Sequence, residues 1–470
     1  MGVVMRVVTV IAGGLAILAA GRGFAGRYSE YTDWQWTPHV VADTNAAENV
    51  RNQMDFTVPV HGPWLTMPRA DSMSVTWITR IPCAGGIQYR EKGAEVWSET
   101  VWPVRYGQVD YSRDIHCHNL TGLKPATEYE YRLVSNLDRY RTAYHSVVCE
   151  GREIYSFRTL DPARSVYKVF LVADLHGSAR LSLGPYVEAS GSKDADFYFM
   201  LGDSVEDGTY SDIRYFLTFG FLDDVTRLWG TRKPTVFLRG NHDINGVDTY
   251  RYGDYFPQPD GTTYQAFRQG GVLFVALDSL WTAREKVQDE QVRRYLVEQR
   301  EWMRRMKGTD LWRSAEFRVV MAHVAPFPTE GTKHMSEVFT EFLQDETPEG
   351  RIHAFISGHH HVYMRMNPNS REARVNRACG AFDPKRYPPK YFSRHPLPER
   401  FPYVNLLLSQ GEPATIDVAP GKLVFRSWSV ARGEFHDAFE LTPDGAVRDL
   451  VETMAYPIPP PEPPKDKKRK

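Results

Sequence analysis

Acidic, amide and imidazole side chains follow several apolar runs in this chain, at spacings that could place them around metal ions. Carboxylate oxygens, amide oxygens and imidazole nitrogens are suitable ligands for Zn, Fe, Mn and similar ions. They are less suitable for metals that prefer thiolate ligands. Seven such donors exceed what one ion normally takes, so two ions that share a bridging carboxylate fit better. The candidate ligands are Asp174, His176, Asp203, Asn241, His323, His359 and His361.

Three adjacent imidazoles occur in the segment Gly358-His359-His360-His361, directly after an apolar run. In an extended chain, successive side chains point to opposite faces. The spacing therefore predicts that His359 and His361 converge on one point and that His360 faces away.

A site with two metal ions is suited to phosphoryl transfer. Two ions about 3.5–4 Å apart can hold the attacking and the leaving oxygens of an in-line phosphoryl transfer. A carboxylate between them brings negative charge to cations that would otherwise repel each other. Glycines precede Asp203, Asn241 and His359, and a residue without Cβ allows the tight turn that directs a loop at the cluster.

The donors follow apolar runs that are typical of buried strands. A helix is predicted from about residue 286 to 306, with Val292, Leu296 and Met303 on one stripe. Strands that alternate with helices predict an α/β layered domain, in which ligands gather just beyond the strand ends. The predicted strands are 166–173, 197–201, 235–238, 272–277, 317–322 and 354–357.

An all-β domain is predicted upstream, from about residue 56 to 160. Met73, Val75 and Trp77 alternate with polar neighbours, which is the period of half-buried strands. Turn residues separate these short runs, so the region reads as a sandwich of about 100 residues. The stretch from Leu123 to Tyr129 resembles the tyrosine corner of fibronectin type III domains.

Length and charge bound the broad class of the protein. With 470 residues, 42% of them apolar, the chain can bury two sizeable cores. The formal charge of −1 gives no global attraction for nucleic acid or an acidic membrane, so no nucleic-acid binding is predicted. Any phosphate recognition must come from a local site.

The N-terminus has the layout of a secretory signal. Arg6 precedes an apolar run from Val7 to Ala20, and small residues follow up to Ala25. The run is shorter than the roughly 20 residues that span a bilayer, so we predict no stable span after signal removal. Export to the periplasm or the extracellular space is expected. The Pro-rich, basic segment at the other end is predicted to be a solvated tail.

Several residues keep two interpretations at this stage. Cys83, Cys117 and Cys149 could pair or remain buried thiols. His116 and His118 alternate on one strand face, where a chance pair is favoured over a metal site. Arg239 could face a phosphate or could be a charge at the end of a strand.

The order of motifs resembles a known superfamily. Asp-x-His, Gly-Asp, Gly-Asn-His-Asp, an isolated His and Gly-His-x-His over residues 174–361 resemble the calcineurin-like metallophosphoesterases. The upstream sandwich makes residues 56–450 similar to the purple acid phosphatase branch. The resemblance implies a layered β-sandwich core flanked by helices, with an N-terminal immunoglobulin- or fibronectin type III-like domain. The implied segments are a signal at 1–25, a lead-in at 26–55, domains at 56–160 and 161–450, and a tail at 451–470.

The resemblance also implies a role for each donor. Asp174, His176 and His361 would hold one ion, while Asn241, His323 and His359 would hold the other, with Asp203 bridging. His242 would not be a ligand, but would stabilise or protonate the leaving oxygen. Purple enzymes carry a tyrosine where this chain has Glu206, and a glycine where it has His176, so this site looks like the more general superfamily site.

The expected function is an exported phosphoesterase with two metal ions, of which Fe, Zn and Mn are the candidates. It would hydrolyse small phosphate monoesters by attack of a metal-bound hydroxide, because a bound ion lowers the pKa of water to near 7. One alternative is a phosphodiesterase or nucleotide-cleaving enzyme with the same metal site. A second alternative, from a different class, is a non-catalytic protein that binds the cell envelope.

Overall fold

The computed structural model describes eleven stretches of the chain. The signal at 1–25, nearly all of the lead-in at 26–55, Glu206 and the tail from 458 onwards lie outside them. The described residues are 39–40, 59–138, 146–151, 153–176, 182–204, 222–244, 249–258, 260–279, 286–325, 333–375 and 401–457.

Two compact units divide the chain. The first comprises residues 77–118 and 129–156 with the described residues up to 62, and the second comprises 63–76, 119–128 and everything described from 157 onwards. The division is therefore not a single cut near residue 160, because two short upstream segments cluster with the downstream unit. None of the helices described is long and apolar enough to cross a membrane.

The N-terminal region is built from strands, which confirms the predicted all-β domain. Its main sheet has the order β1-β8-β7-β3-β2, with β6 on β3 and β9 on β7, while β4 and β5 form a separate hairpin. The strands are β1 (His39–Val40), β2 (Pro59–Thr66), β3 (Ser72–Glu91), β4 (Val104–Arg105), β5 (Gln108–Val109), β6 (Arg113–Thr121), β7 (Glu128–Asp138), β8 (Ser146–Glu150) and β9 (Tyr155–Arg158).

Strand β3 is buried on both faces at its start, and the prediction of a half-buried strand was wrong there. Met73 and Val75 are buried as expected, but Ser74 and Thr76 are only 1% and 0% exposed. The Ser74 hydroxyl donates to Asn119 Oδ1 at 3.1 Å, so a small polar side chain is buried with a partner. Alternation in sequence therefore does not establish that one face is in water.

His116 and His118 are structural residues of the first unit. The Nε2 atom of His116 lies 2.8 Å from the Thr79 hydroxyl, and Nε2 of His118 donates to the Gly85 carbonyl at 2.7 Å. Both rings pack against Trp77, at centroid distances of 5.3 and 5.6 Å. Burial lowers the pKa of His116 to about 3, so the imidazole is neutral, as core packing requires.

The second unit contains two large sheets. One has the order β12-β11-β10-β20-β21-β22-β23 and the other β13-β14-β15-β16-β19-β17-β18-β24. The strands are β10 (Tyr167–Val172), β11 (Phe197–Met200), β12 (Thr235–Phe237), β13 (Gln265–Gln269), β14 (Val272–Ala276), β15 (Phe317–Met321), β16 (Ala354–Ser357), β17 (Met364–Met366), β18 (Glu372–Val375), β19 (Val404–Leu407), β20 (Ala414–Ala419), β21 (Lys422–Ser429), β22 (Glu434–Leu441), β23 (Val447–Asp449) and β24 (Met454–Pro457).

All six strands predicted for this unit are present, with ends within two residues of those expected. Strand β24 pairs with β18, so the sheet extends into the first residues of the segment predicted as a tail. The helices are α1 (Gly184–Ala189), α2 (Asp223–Val225) with a π-helical turn (Thr226–Gly230), α3 (Tyr252–Tyr255) after a 3-10 turn (Thr249–Arg251), α4 (Lys286–Lys307), α5 (Asp310–Arg313) and α6 (Lys333–Leu343).

Apolar packing makes this unit layered. The ring centroids of Phe197 and Phe199 in one sheet lie 5.1 and 5.6 Å from the ring centroid of Phe274 in the other. All three residues belong to a single core cluster. A second cluster joins the opposite face of the eight-stranded sheet to Val292 and Leu296 of α4. Two sheets face to face, with helices outside, confirm the predicted sandwich core flanked by helices.

Parallel pairing determines where polar side chains can meet. Strands β10, β11 and β12 run parallel in one sheet, and β14, β15, β16 and β19 run parallel in the other. The carboxyl ends of parallel strands lie at one edge of a sheet, where ligands gather. The loops after these strands are therefore brought to a common edge of the second unit.

The buried imidazole of His353 predicts a pH dependence of stability. Its Nδ1 accepts the Arg318 N–H at 3.1 Å and its Nε2 donates to the Pro443 carbonyl at 3.0 Å, a pattern that requires the neutral ring. Burial lowers its pKa to about 4, against about 6.5 in an unfolded chain. Protonation therefore favours unfolding, and the stabilisation present above about pH 6.5 is lost as the pH falls towards 4.

We expect wild type to lose about 2 kcal/mol of unfolding free energy through His353 between pH 7 and pH 5. The His353→Gln variant should lack this part of the loss, since glutamine does not titrate. Urea unfolding of both proteins at the two pH values measures the difference. If both proteins lost the same unfolding free energy between the two pH values, His353 would not be the cause of the pH dependence.

Candidate metal centre

The structure brings all seven predicted ligands to the common edge of the two sheets. Asp174 and His176 follow β10, Asp203 follows β11 and Asn241 follows β12, while the remaining three follow β15 and β16. Asp203 Oδ2 is 3.0 Å from His323 Nε2, His176 Nε2 is 2.8 Å from His361 Nε2, and Asn241 Oδ1 is 2.7 Å from His359 Nδ1.

The donors form two groups that share one carboxylate. Asp203 belongs to both, and within each group every ligand atom lies within 4.8 Å of every other. Asn241 joins the second group through its contact with His359. The groups are Asp174, His176, Asp203 and His361, and Asp203, His323 and His359.

His323 provides a test of whether a cation fits. Its Nδ1 lies 2.8 Å from the Leu201 carbonyl, which can only accept, so Nδ1 carries the proton. In the neutral ring, Nε2 then carries a lone pair and lies 3.0 Å from Asp203 Oδ2. Among the described residues, no group donates a hydrogen bond to this Nε2. A lone pair and a carboxylate at that distance need a positive charge between them, so the residues fit a metal ion.

Electrostatics call for a positive charge at the same place, which a proton on His323 Nε2 supplies when no metal ion is bound. Burial lowers the pKa of His323, but the Asp203 and Asp174 carboxylates outweigh it and raise that pKa to about 9. Burial raises the pKa of Asp203, but His323 and hydrogen bonds hold it well below its usual range. Both carboxylates are at most 1% exposed. Buried anions of this kind are stable only when cations or donors compensate them.

Five of the seven candidate ligands have a left-handed backbone, which L-residues adopt only at a cost. Their φ angles lie between 52° and 72°. Such conformations cost about 1–3 kcal/mol each and persist where the surroundings impose them, often at functional sites. The five are Asp174, His176, Asp203, His359 and His361.

His359 and His361 converge on the site for a reason that differs from the prediction. Strand β16 ends at Ser357, and both residues lie beyond it with φ angles of 72° and 57°. The assumption of an extended chain was therefore wrong. A turn carries the two imidazoles to neighbouring donor groups, and the His360 ring packs edge-on against His359 at 5.0 Å.

Hydrogen bonds between loops hold this backbone. The Asp174 carboxylate accepts the His359 N–H at 3.0 Å, and Asp203 Oδ1 accepts the His242 N–H at 2.8 Å. Two candidate ligands are therefore also acceptors that fix the neighbouring loops. Pre-oriented ligands of this kind favour metal binding.

Asp243 joins two of the loops that carry the donors, and sequence analysis assigned it no role. Its buried carboxylate accepts N–H groups of Asp203 at 2.8 Å, Ser204 at 3.0 Å and Gly240 at 2.7 Å. It thereby joins the loop after β11 to the loop after β12. The only sequence signal for a role of Asp243 was its place directly after Asn241 and His242. That position does not predict its three backbone partners.

His242 lies beside the two donor groups and is open to solvent. Its side chain is 19% exposed, its Nε2 is 3.8 Å from Asp203 Oδ2, and its ring packs edge-on against His176 at 4.7 Å. The deeper donors are almost fully buried, whereas His361 is 35% exposed. The accessible side of the site is therefore lined by imidazoles that can reach a bound molecule.

Comparison with known proteins matches two parts of the chain to described families. Residues 167–363 match the family described as Calcineurin-like phosphoesterase, and residues 60–159 match Purple acid Phosphatase, N-terminal domain. The chain carries a calcineurin-like phosphoesterase domain. Together with the purple acid phosphatase N-terminal domain, it identifies the protein as a metal-dependent phosphoester hydrolase.

One solved structure is similar in fold to this chain. The structure described as "Structure of PhoD" is 12% identical, with a TM-score of 0.54, and the match covers 84% of this chain and 92% of that chain. A purple acid phosphatase, PPD1, from yellow lupin (Lupinus luteus) seeds is 14% identical, with a TM-score of 0.49 and coverages of 82% and 75%. No curated protein matches the chain. At this identity, the similarity to PhoD concerns the fold.

Arg239 of the phosphoesterase domain is committed to an internal ion pair. Its Nε donates to the Asp278 carboxylate at 2.8 Å, and Thr263 donates to the same carboxylate oxygen. Asp278 is completely buried and Arg239 is 15% exposed. The open question about Arg239 is thus answered in favour of a strand-end charge, because its Nε and Nη2 both donate to a buried carboxylate.

The glycine before Asn241 generates a prediction about the phosphoesterase domain. A Cβ at Gly240 would lie 2.1 Å from Asp203 Oδ1 and 2.4 Å from the Asp203 backbone nitrogen. We expect Gly240→Ala to displace Asp203 and to lower metal affinity about tenfold or more, as disturbed ligand orientation does, so that less metal is retained. Metal analysis after gel filtration at a fixed free metal concentration measures this.

Gly253→Ala is the matched control, because a Cβ at Gly253 would have no heavy atom within 4 Å and its φ is not positive. That variant should keep the metal content of wild type. Equal metal content in the Gly240→Ala and Gly253→Ala proteins would contradict the geometry described for Asp203.

Proposed function

We propose that this protein is an exported phosphatase that hydrolyses small phosphate monoesters with two metal ions of the Fe, Zn or Mn type. The observation that carries the proposal is that the buried Asp203 carboxylate belongs to both donor groups. In this proposal Asp174, His176 and His361 would hold one ion, Asn241, His323 and His359 would hold the other, and Asp203 would be shared between them.

Bound ions of this kind would supply Lewis-acid chemistry, by lowering the pKa of water and offsetting charge on the phosphoryl oxygens. The chain prepares the site in three ways. Asp203 places negative charge between the two positions. The Leu201 carbonyl holds the His323 tautomer whose Nε2 faces the site. Burial, together with the nearby His323, lowers the pKa of His359 to about 4. This imidazole therefore stays neutral and can offer a nitrogen lone pair to a metal ion.

His242 is proposed as the catalytic residue. Its backbone N–H is fixed on Asp203 Oδ1, which leaves the partly exposed ring beside the donor groups. From there Nε2 can donate a proton to the leaving oxygen as the P–O bond breaks. A positioned acid of this kind contributes about 10²–10⁴-fold to a rate.

The proposed monoester preference follows from the N-terminal family. That domain is described as belonging to purple acid phosphatases, and a phosphatase releases phosphate from a monoester. A phosphodiesterase that uses the same donors is the competing outcome. Comparing kcat/KM for 4-nitrophenyl phosphate and bis(4-nitrophenyl) phosphate distinguishes them, and a preference for the diester would overturn the monoester assignment.

The His242→Ala variant separates catalysis from metal binding. We expect kcat to fall about 10²–10⁴-fold because a proton donor is lost. Metal content should stay unchanged, since the ring is not among the proposed ligands. Steady-state kinetics and metal analysis of the same preparations check both statements.

His360→Ala is the matched control, because His360 is a neighbouring imidazole outside the two donor groups described. It should retain activity and metal. Full activity of His242→Ala would exclude the proposed proton donor, and loss of metal in that variant would reassign His242 to the ligands.

Export is proposed from the basic residue and apolar run before residue 25. We expect the mature protein to begin at about residue 26 and to be found outside the cytoplasm. Cell fractionation with N-terminal sequencing checks this, and a chain lacking residues 1–25 is the control. An intact N-terminus on cytoplasmic material would contradict the proposal.

A further inference from the structure

A pocket with charged residues in its lining lies in the second unit, at the sheet edge opposite the metal centre. It is formed by residues around the amino ends of β10, β11 and β12, including Arg164, Phe197 and Pro234. The candidate ligands instead follow the carboxyl ends of these strands. The pocket is therefore separate from the site of phosphoester hydrolysis.

Basic side chains dominate the lining. Arg158, Arg164, Arg232 and Lys233 contribute four positive charges, whereas only two carboxylates line the pocket. The lining therefore has an excess of two positive charges at neutral pH. Concave surfaces lined by one sign of charge concentrate ions of the opposite sign.

The two carboxylates are engaged with their own surroundings. Asp196 Oδ1 lies 2.8 Å from Arg164 Nη1 and 3.7 Å from Lys233 Nζ, while its Oδ2 accepts the Lys168 N–H at 3.2 Å. Asp161 Oδ1 accepts the Ala163 N–H at 2.9 Å. Asp196 thus fixes Arg164 and Lys233 in the wall of the pocket, but its single charge cannot neutralise both.

Arg158 and Arg232 are the uncompensated charges. Both side chains are exposed, and neither forms an ion pair with a carboxylate in the described parts of the chain. Arg232 donates one hydrogen bond, from Nη2 to the Leu228 carbonyl at 3.2 Å, which leaves most of its guanidinium donors available. Two guanidinium groups at one pocket can each present a pair of N–H groups to an oxyanion.

We propose that this pocket binds a phosphate-type oxyanion through Arg158 and Arg232, with Arg164 and Lys233 supporting it electrostatically. A dianion matches the excess of two charges in the lining, and tetrahedral oxygens suit the planar fork of each guanidinium. The oxyanion is either free phosphate or the phosphate group of a larger molecule. This binding does not depend on which ester the metal centre cleaves.

The test compares phosphate binding by three full-length, metal-loaded proteins at constant ionic strength. They are wild type, the double variant Arg158→Gln/Arg232→Gln, and Arg313→Gln as a control at an exposed arginine outside the pocket. Calorimetric titration with inorganic phosphate should show one additional phosphate-binding site in wild type and in the control. The double variant should lack this site. Each lost charge-assisted contact should weaken that site about tenfold or more.

Titration with phenylphosphonate, whose C–P bond is not a phosphoester, identifies the source. Binding of phosphate alone at this pocket indicates the free anion, and binding of both indicates that a larger phosphorylated molecule is accepted. Arg232→Gln alone, a change at an exposed side chain, gives a second measure of the effect if the double variant is unstable. Identical phosphate titrations for wild type, the pocket variants and Arg313→Gln would overturn the proposal.

Discussion

The buried carboxylate of Asp203 is the constraint on which the rest of the second unit depends. A charge that is 1% exposed must be compensated, and within the chain the compensation comes from His323 and from the His242 N–H, at a donor set that fits a metal ion. No single strand could assemble this set. The loops after three strands must meet, which the parallel pairing at one edge of each sheet brings about.

This arrangement stores strain in the backbone and offsets it with hydrogen bonds. Five candidate ligands have φ angles between 52° and 72°, which an isolated chain would avoid. Asp243 accepts three backbone N–H groups and Asp174 accepts another, so the loops are held by carboxylates whose backbone partners sequence alone does not disclose. Metal affinity is then a property of the whole edge, because displacing one loop misplaces donors on its neighbours.

Sequence patterns predicted the strands that carry the site, because buried parallel strands are continuous apolar runs with polar residues directly after them. They did not predict β17 to β24, and the alternation around Ser74 misrepresented a strand that is buried on both faces. The ligand types and their pairing around Asp203 followed from donor chemistry and resemblance. The partners of Arg239 and Asp243 could not be predicted, since Asp278 and the Ser204 N–H are close only in the folded chain.

The formal charge of −1 conceals two local sites of opposite character. At the carboxyl edge of β10 and β11, buried Asp174 and Asp203 require positive charge. At the amino edge of the same strands, Arg158 and Arg232 have no carboxylate partner in the part of the chain that the structure describes. Net charge is a sum over the whole chain, so opposite charges at two separate sites cancel in it while each site keeps its own local field. Net charge therefore excludes strong non-specific attraction, and it leaves the local recognition of cations and oxyanions undetermined.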